Sequence, residues 1–172
     1  TANLPPVREK HTPASASAPS SSPLMRDAWQ EYEAERSSRW HSNTLHDYRN
    51  TINEFTSEEF VGNKPVGSIT RNDIIKYREI LARLPAQRDK KKAYRSKSVE
   101  QLLKMKIPRA DRVGDRTIND RIALLATFFR WCKNVQGYAS SEVCYQVRIV
   151  KPKTEERAAF TEEDLSKLLG SP

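Results

Sequence analysis

Arg116-Thr-Ile-Asn-Asp-Arg-Ile-Ala-Leu-Leu-Ala-Thr-Phe-Phe-Arg-Trp-Cys-Lys133 is the stretch on which the fold turns. At about 100° per residue, Ile118, Ile122, Leu125, Phe129 and Cys132 fall within roughly a quarter of a helical circumference. The spacing predicts an amphipathic helix over 116–134, with those five side chains as its core stripe. Leu124, Phe128 and Trp131 form an apolar shoulder that packs either on neighbouring helices or on a partner chain. Asp115 stands where an N-cap is needed. The opposite face carries Arg116, Asn119, Asp120, Ala123, Thr127, Arg130 and Asn134, a mixture of cations, amides and small residues.

The same period recurs upstream. A first helix is expected over 24–37, with Ala28, Trp29 and Tyr32 turned inward. A second begins after Ser42-Asn43, either of which can cap it, and carries Leu45, Tyr48, Ile52 and Phe55. Gly62-Asn63-Lys64-Pro65 breaks the pattern. Thr70-Arg-Asn-Asp73 then has capping-box spacing, with Asp in place of Glu. It opens a helix carrying Ile74, Tyr77, Ile80, Leu81 and Leu84, which stops at Pro85. No stretch alternates apolar and polar residues over a strand's length. The expected fold is all-α, a small orthogonal bundle of four to five helices.

The flanks read differently. Residues 1–23 are rich in Pro, Ser and Ala and are expected to be a disordered tail. Residues 24–150 then form the helical domain. Within it, 86–113 is a long basic connection of the kind that is usually functional or mobile. Ser98-Val-Glu-Gln-Leu-Leu-Lys-Met105 has room for two helical turns before Pro108. Residues 151–172 are read as a linker and the capped start of a further element at Phe160-Thr-Glu-Glu-Asp-Leu165.

The net charge is +8, with 37% of residues apolar. Its distribution says more than its sum. Residues 24–60 carry four basic and eight acidic side chains, a net of −4, whereas residues 86–116 carry eleven and four, a net of +7. Residues 61–85 and 117–150 are at +3 and +2. Such asymmetry is the footprint of a protein that docks on phosphate, although a solvated basic loop gives the same run. No stretch approaches the ~18 apolar residues of a membrane span, and no signal-peptide core is visible. Cys132 and Cys144 form no metal-type cluster with His11, His41 and His46. A reduced, buried thiol at Cys132 and a cytoplasmic setting follow. No paired carboxylates, Ser/His/Asp set or Gly-rich phosphate loop appears, so neither an enzyme active as it stands nor a cofactor is expected.

The polar face of the 116–134 helix has the chemistry of a DNA-facing surface. Arg can bond guanine in bidentate fashion, and Asn can do the same to adenine. Thr117 and the helix-start amides can hold a phosphate. An ordinary solvent-facing helix has the same composition. The second helix offers Asn43, Thr44, Asp47 and Arg49, which also serve as capping residues.

In order and spacing these motifs resemble the N-terminal core-binding domain of tyrosine recombinases, the phage-integrase family. The resemblance covers about residues 24–169. It rests on Trp40, Thr44-Leu-x-x-Tyr48 with Phe55, and Lys64-Pro-Val-Gly-Ser-Ile-Thr70-x-x-Asp73-Ile with Leu84-Pro85. Thr117-Ile-Asn119-x-Arg121-x-x-x-Leu125-x-x-Phe128-Phe129-x-Trp131 is its most specific part, followed by Gly137-Tyr138 and Phe160-Thr161-x-Glu163-Asp164-Leu165. The insertion around Tyr94-Arg95-x-Lys97-Ser98 also resembles integrases of bacterial mobile elements. Ser140-Ser141-Glu142 departs from the Asn-Pro found in many relatives.

The resemblance implies a SAM-like helical module that clamps one side of a recombination site. Double-stranded DNA, its own catalytic domain and other recombinase protomers would be its partners, with no membrane role. The candidate DNA-binding set, drawn largely from these helix faces, is Asn43, Thr44, Arg49, Arg116, Thr117, Asn119, Arg121, Thr127, Arg130, Lys151 and Lys153. No catalytic residue carries over, because the region matching the catalytic domain begins near Phe160. The chain is thus expected to hold DNA without cutting it. The competing reading is a helical protein-interaction module that uses Leu124, Phe128 and Trp131.

Overall fold

The computed structural model describes residues 22–139 and 142–150. Its regular structure comprises five α-helices, α1 Met25–Arg36, α2 Ser42–Phe55, α3 Arg71–Arg83, α4 Val99–Lys104 and α5 Asp115–Asn134, with short 3-10 turns at Ser37–Arg39, Val66–Ser68 and Arg109–Asp111. Among the described residues there is no strand. Two isolated bridges, Leu24 with Pro65 and Pro85 with Arg112, are the β-type pairings there. The protein is an all-α bundle, as the periodicity predicts.

Helix α5 organises the bundle, touching α1, α2 and α3. Its stripe of Ile118, Ile122, Leu125, Phe129 and Cys132 is buried. Phe128 and Trp131 of the shoulder are buried too, and Leu124 is half-buried. The shoulder therefore packs on the protein's own helices. The Tyr32 ring lies 5.5 Å from Phe128 and 5.0 Å from Trp131. Trp131 Nε1 donates to Glu35 at 2.9 Å. Trp40 stacks on Tyr48 at 4.6 Å. Farther along the core, Phe55 and Phe60 meet the Tyr77 ring edge-on at 5.2 and 5.5 Å. Each such pair adds about 0.5–1.5 kcal/mol beyond the area it buries. Burial pushes the Cys132 thiol up to about 12, so it acts as a small apolar side chain.

The helix starts follow the sequence with two corrections. Neither Ser42 nor Asn43 caps α2; His41 does, its Nδ1 accepting from the Asn43 amide at 3.4 Å. The extended backbone of His41 (ψ 149°) turns its ring nitrogen into the place a hydroxyl would occupy. At α5 the cap position belongs to Gly114, which has no side chain to offer, and Asp115 sits in the first turn. There its carboxylate favours the positive end of the helix dipole. Gly137, at φ +68°, ends the descent of α5 and lets Tyr138 N–H return to the Cys132 carbonyl at 2.8 Å.

The basic segment carries the helical turns expected at 98–105, as α4, but it is more than a long connection. Ala86 N–H donates to the Asp111 carbonyl at 2.7 Å and Val113 N–H to the Leu84 carbonyl at 3.0 Å, closing its base. Ser98 and Gln101 form a capping box that starts α4. Tyr94, Val99, Leu102 and Ile107 are buried in the common core, so the segment is stapled to the bundle. Ser22 and Pro23 are also held, contrary to a disordered tail reaching residue 23. The Gly67 amide donates to Ser22 Oγ at 2.9 Å and the Val66 amide to the Pro23 carbonyl at 2.9 Å. The remainder of that predicted tail, residues 1–21, lies outside the described residues.

The capping box at Thr70 forms as expected. Asp73 Oδ2 accepts from the Thr70 amide at 2.8 Å and from the Thr70 hydroxyl at 2.7 Å, while Lys64 Nζ reaches Oδ1 at 3.0 Å. Burial pushes the Asp73 carboxyl up, but the bonds from Thr70 and Lys64 outweigh it and hold the group below its ordinary 3.8. A depressed carboxylate contributes stability above its unfolded pKa and loses it as pH falls through the folded value. Asp73→Asn should therefore cost about 1 kcal/mol near neutrality and flatten the acid limb of stability below about pH 4. Urea melts across that range check it; an acid limb as steep as the wild type's contradicts it.

Candidate nucleic-acid interface

The faces of α2 and α5 singled out by sequence lie side by side. A cleft of about 200 Å³ runs between them, lined by Asp47, Asn50 and Thr51 of α2 and by Thr117, Asp120, Arg121 and Leu124 of α5. The two exposed carboxylates among its walls make the cleft itself unfavourable for a phosphate. Cations stand at its margins and along α5. Arg116 has a side chain 95% exposed, with Asp120 no closer than 4.0 Å. Thr117 is exposed. Farther down the helix Thr127 is exposed, its hydroxyl donating to the Ala123 carbonyl at 3.0 Å. Arg130 is exposed and has no partner among the described residues.

On α2, Asn43 is exposed at the helix start and Thr44 is half-buried. Arg49 leans across to α1, where Glu33 Oε1 accepts from its Nε at 2.7 Å and from a second nitrogen of the same guanidinium. Its side chain stays 55% exposed. An exposed pair of this kind is worth ~0–1 kcal/mol, so a phosphate can compete for the arginine. Lys151 and Lys153 lie outside the described residues, as does the whole of 151–172 with its capping signal at Phe160.

Two members of the set are committed to the fold. Asn119 grips the segment after α5 at two points: its Nδ2 donates to the Ile149 carbonyl at 3.0 Å, and its Oδ1 accepts from the Ile149 amide at 2.8 Å. The donor–acceptor edge that bidentate adenine recognition needs is thus taken by the backbone. Arg78 assists from α3, donating to the Val147 carbonyl at 3.0 Å. The returning segment leaves a cavity of about 450 Å³ against α5, with Ala126, Phe129, Arg130, Val143 and Arg148 among its walls.

Arg121 is the second. Its guanidinium donates to Glu54 Oε2, the same oxygen that accepts the Tyr77 hydroxyl at 2.9 Å. The other Glu54 oxygen pairs with Arg88 at 3.1 Å. One carboxylate, only 11% exposed, thereby joins α2, α3, α5 and the root of the basic segment. Burial pushes the Arg121 guanidinium down, but Glu54 and Tyr77 outweigh it and hold it above its ordinary value. Burial, with Glu54 beside it, moves the Tyr77 phenol well above its usual range. Glu54, Arg78 and Arg88 did not emerge from sequence. Their partners are far away along the chain, and only the Arg121 position on the core side of its helix pointed toward an internal bond.

Among the described residues no group of His, Cys, Asp or Glu is arranged to hold a metal ion, and no helix is long and apolar enough to cross a membrane. No family model, curated protein or solved structure matches the chain.

Removing the charge of Glu54 leaves Arg121 half-buried without a counter-charge. Glu54→Gln should cost roughly 2–4 kcal/mol, less than a fully buried pair because both arginines keep some solvent. Denaturant unfolding tests this. A loss below about 0.5 kcal/mol, the range of neutral surface changes, contradicts the role given to Glu54.

Proposed function

We propose that this chain is a duplex-DNA-binding module of the core-binding type found in site-specific tyrosine recombinases. It grips one side of a recombination site while a separate catalytic domain performs strand exchange. The observation that carries the reading is the exposed row on α5. Arg116, Thr117, Thr127 and Arg130 face solvent, while the cations that the fold needs for itself are paired internally. The all-α bundle built around α5 supports the reading, as does the resemblance in motif order.

In this reading phosphate contacts supply most of the affinity and α5 supplies modest base readout. Arg130 and Arg116 are the guanine-reading or phosphate-binding cations. Asp47 and Asp120 keep phosphates out of the cleft and can accept from a cytosine amino group. Arg49 joins once it leaves Glu33. No residue of this chain is assigned a catalytic role, and no cofactor is needed.

The interaction-module reading is left with little surface. Phe128 and Trp131 are buried among the protein's own rings, and Leu124 alone of the three keeps partial exposure.

Fluorescence anisotropy with labelled duplex across a salt series tests the proposal. Binding should weaken steeply with salt, with a slope of about −0.9 for each phosphate neutralised. Arg116→Ala and Arg130→Ala should each weaken binding about 3–30-fold with the helical circular dichroism unchanged, the range for removing a single charged interaction of about 1–2 kcal/mol. Absent or salt-independent binding contradicts the proposal.

A further inference from the structure

The basic segment sorts its cations into two groups. Some hold the segment in place. Arg88 pairs with Glu54 and lies over the Phe60 ring at 5.8 Å. Lys91 Nζ meets Asp111 Oδ1 at 2.5 Å, and Arg112 Nε donates to the Ile107 carbonyl at 3.0 Å. Lys104 is taken by Glu100. The others, Lys90, Lys92, Arg95, Lys97, Lys106 and Arg109, are exposed, and none has a side-chain partner among the described residues; the first four lie together before α4. Between residues 86 and 99 the only acidic side chain is Asp89.

The backbone beneath these four cations is fixed. Successive turns carry them, with Lys90 N–H donating to the Gln87 carbonyl at 2.9 Å and Tyr94 and Arg95 N–H to the Lys91 carbonyl at 2.9 and 3.0 Å. Tyr94 is buried and its hydroxyl reaches Asp111 at 3.4 Å. A solvated basic loop needs neither this apolar anchor nor a closed base. The root of the segment also adjoins the α5 face. Gln87, Arg88 and Asp89 share a small cleft with Glu54 and Arg121, and Arg121 lines the α2–α5 cleft on its other side.

We propose that residues 86–112 form a pre-built arm whose Lys90, Lys92, Arg95 and Lys97 grip duplex DNA phosphates beyond the stretch met by α5. The inference rests on the reading of the chain as a duplex-binding module and adds a second grip to it. Because the arm is ordered beforehand, binding does not carry the cost of folding it, and Glu54 sets its register relative to α5. The fixed spacing of four point charges on turns suits a run of backbone phosphates and carries no base readout.

The test compares the wild-type chain with the K90Q/K92Q/R95Q/K97Q variant, whose changes remove charge from exposed side chains outside the core. Unchanged circular dichroism and melting establish that it folds. Duplex affinity is measured between about 50 and 200 mM salt, a range over which the neutralisation of several phosphates is resolved. The slope of log affinity against log salt should become shallower by about 0.9 for each phosphate no longer neutralised, up to about 3.6 for all four. The weakening should be uniform across duplex sequences. In addition, the Tyr94 and Arg95 amides should resist hydrogen exchange before any DNA is added. An unchanged slope in the variant overturns the arm while leaving the module reading intact, provided that Arg116→Ala still weakens binding. Failure of the wild type to bind duplex overturns both. Amides protected only after duplex is added overturn the pre-built character. Loss of binding to phosphatidylserine vesicles with duplex affinity unmoved assigns the patch to a membrane surface and overturns the arm.

Discussion

The Glu54 carboxylate is the constraint around which the polar half of this bundle is arranged. A charge removed from water is tolerated only when paired and hydrogen-bonded, and Glu54 meets that demand with Arg121, Arg88 and the Tyr77 hydroxyl. Those partners come from α5, the basic segment and α3, so one local requirement fixes three elements against α2. The apolar core alone would leave helix rotation loosely specified, because neighbouring hydrophobic side chains substitute for one another at small cost. A carboxylate with three directional partners does not allow that slack. It turns α5 so that Arg121 faces inward and Arg116 and Arg130 face out.

The same division runs through the other cations of the described residues. Arg78, Arg88, Lys91, Arg112 and Arg121 bind carbonyls or carboxylates within the bundle. Arg130, Lys90, Lys92, Arg95 and Lys97 have no such partner there. A net charge of +8 therefore understates how unevenly positive potential is displayed, since α1 adds Glu31, Glu33 and Glu35, of which Glu33 is taken by Arg49 and Glu35 by Trp131. A phosphate-bearing partner would be drawn first to the free cations.

Periodicity makes the helices legible. The stripe from Ile118 to Cys132, the Thr70–Asp73 box and the stop at Pro85 each act over a few residues, so their signals are written locally. The features that sequence does not reveal depend on distant partners. The two helical turns at 98–105 are legible within the basic segment, but its attachment to the core is not, because Tyr94 and Ile107 stand alone in polar sequence with no period to mark them as buried. Asn119 reads as a base-contacting amide because nothing in its neighbourhood announces that residues 147–149 return to cover it. Arg121 carries a legible signal that points away from DNA: it lies about 40° from Leu125 on the helical wheel, on the core side, where a cation needs an internal partner. Glu54, 67 residues away, is that partner.

In the proposed complex the free part of α5 and the basic segment meet one side of a duplex, held in register by Glu54. Backbone amide chemical shifts during titration with a duplex measure that most directly. The prediction is that shifts concentrate at Arg116, Thr117, Thr127, Arg130 and residues 90–97, with the first turn of α1, Met25 to Ala28, unmoved. Shifts centred on α1, or spread evenly over the bundle, would contradict it.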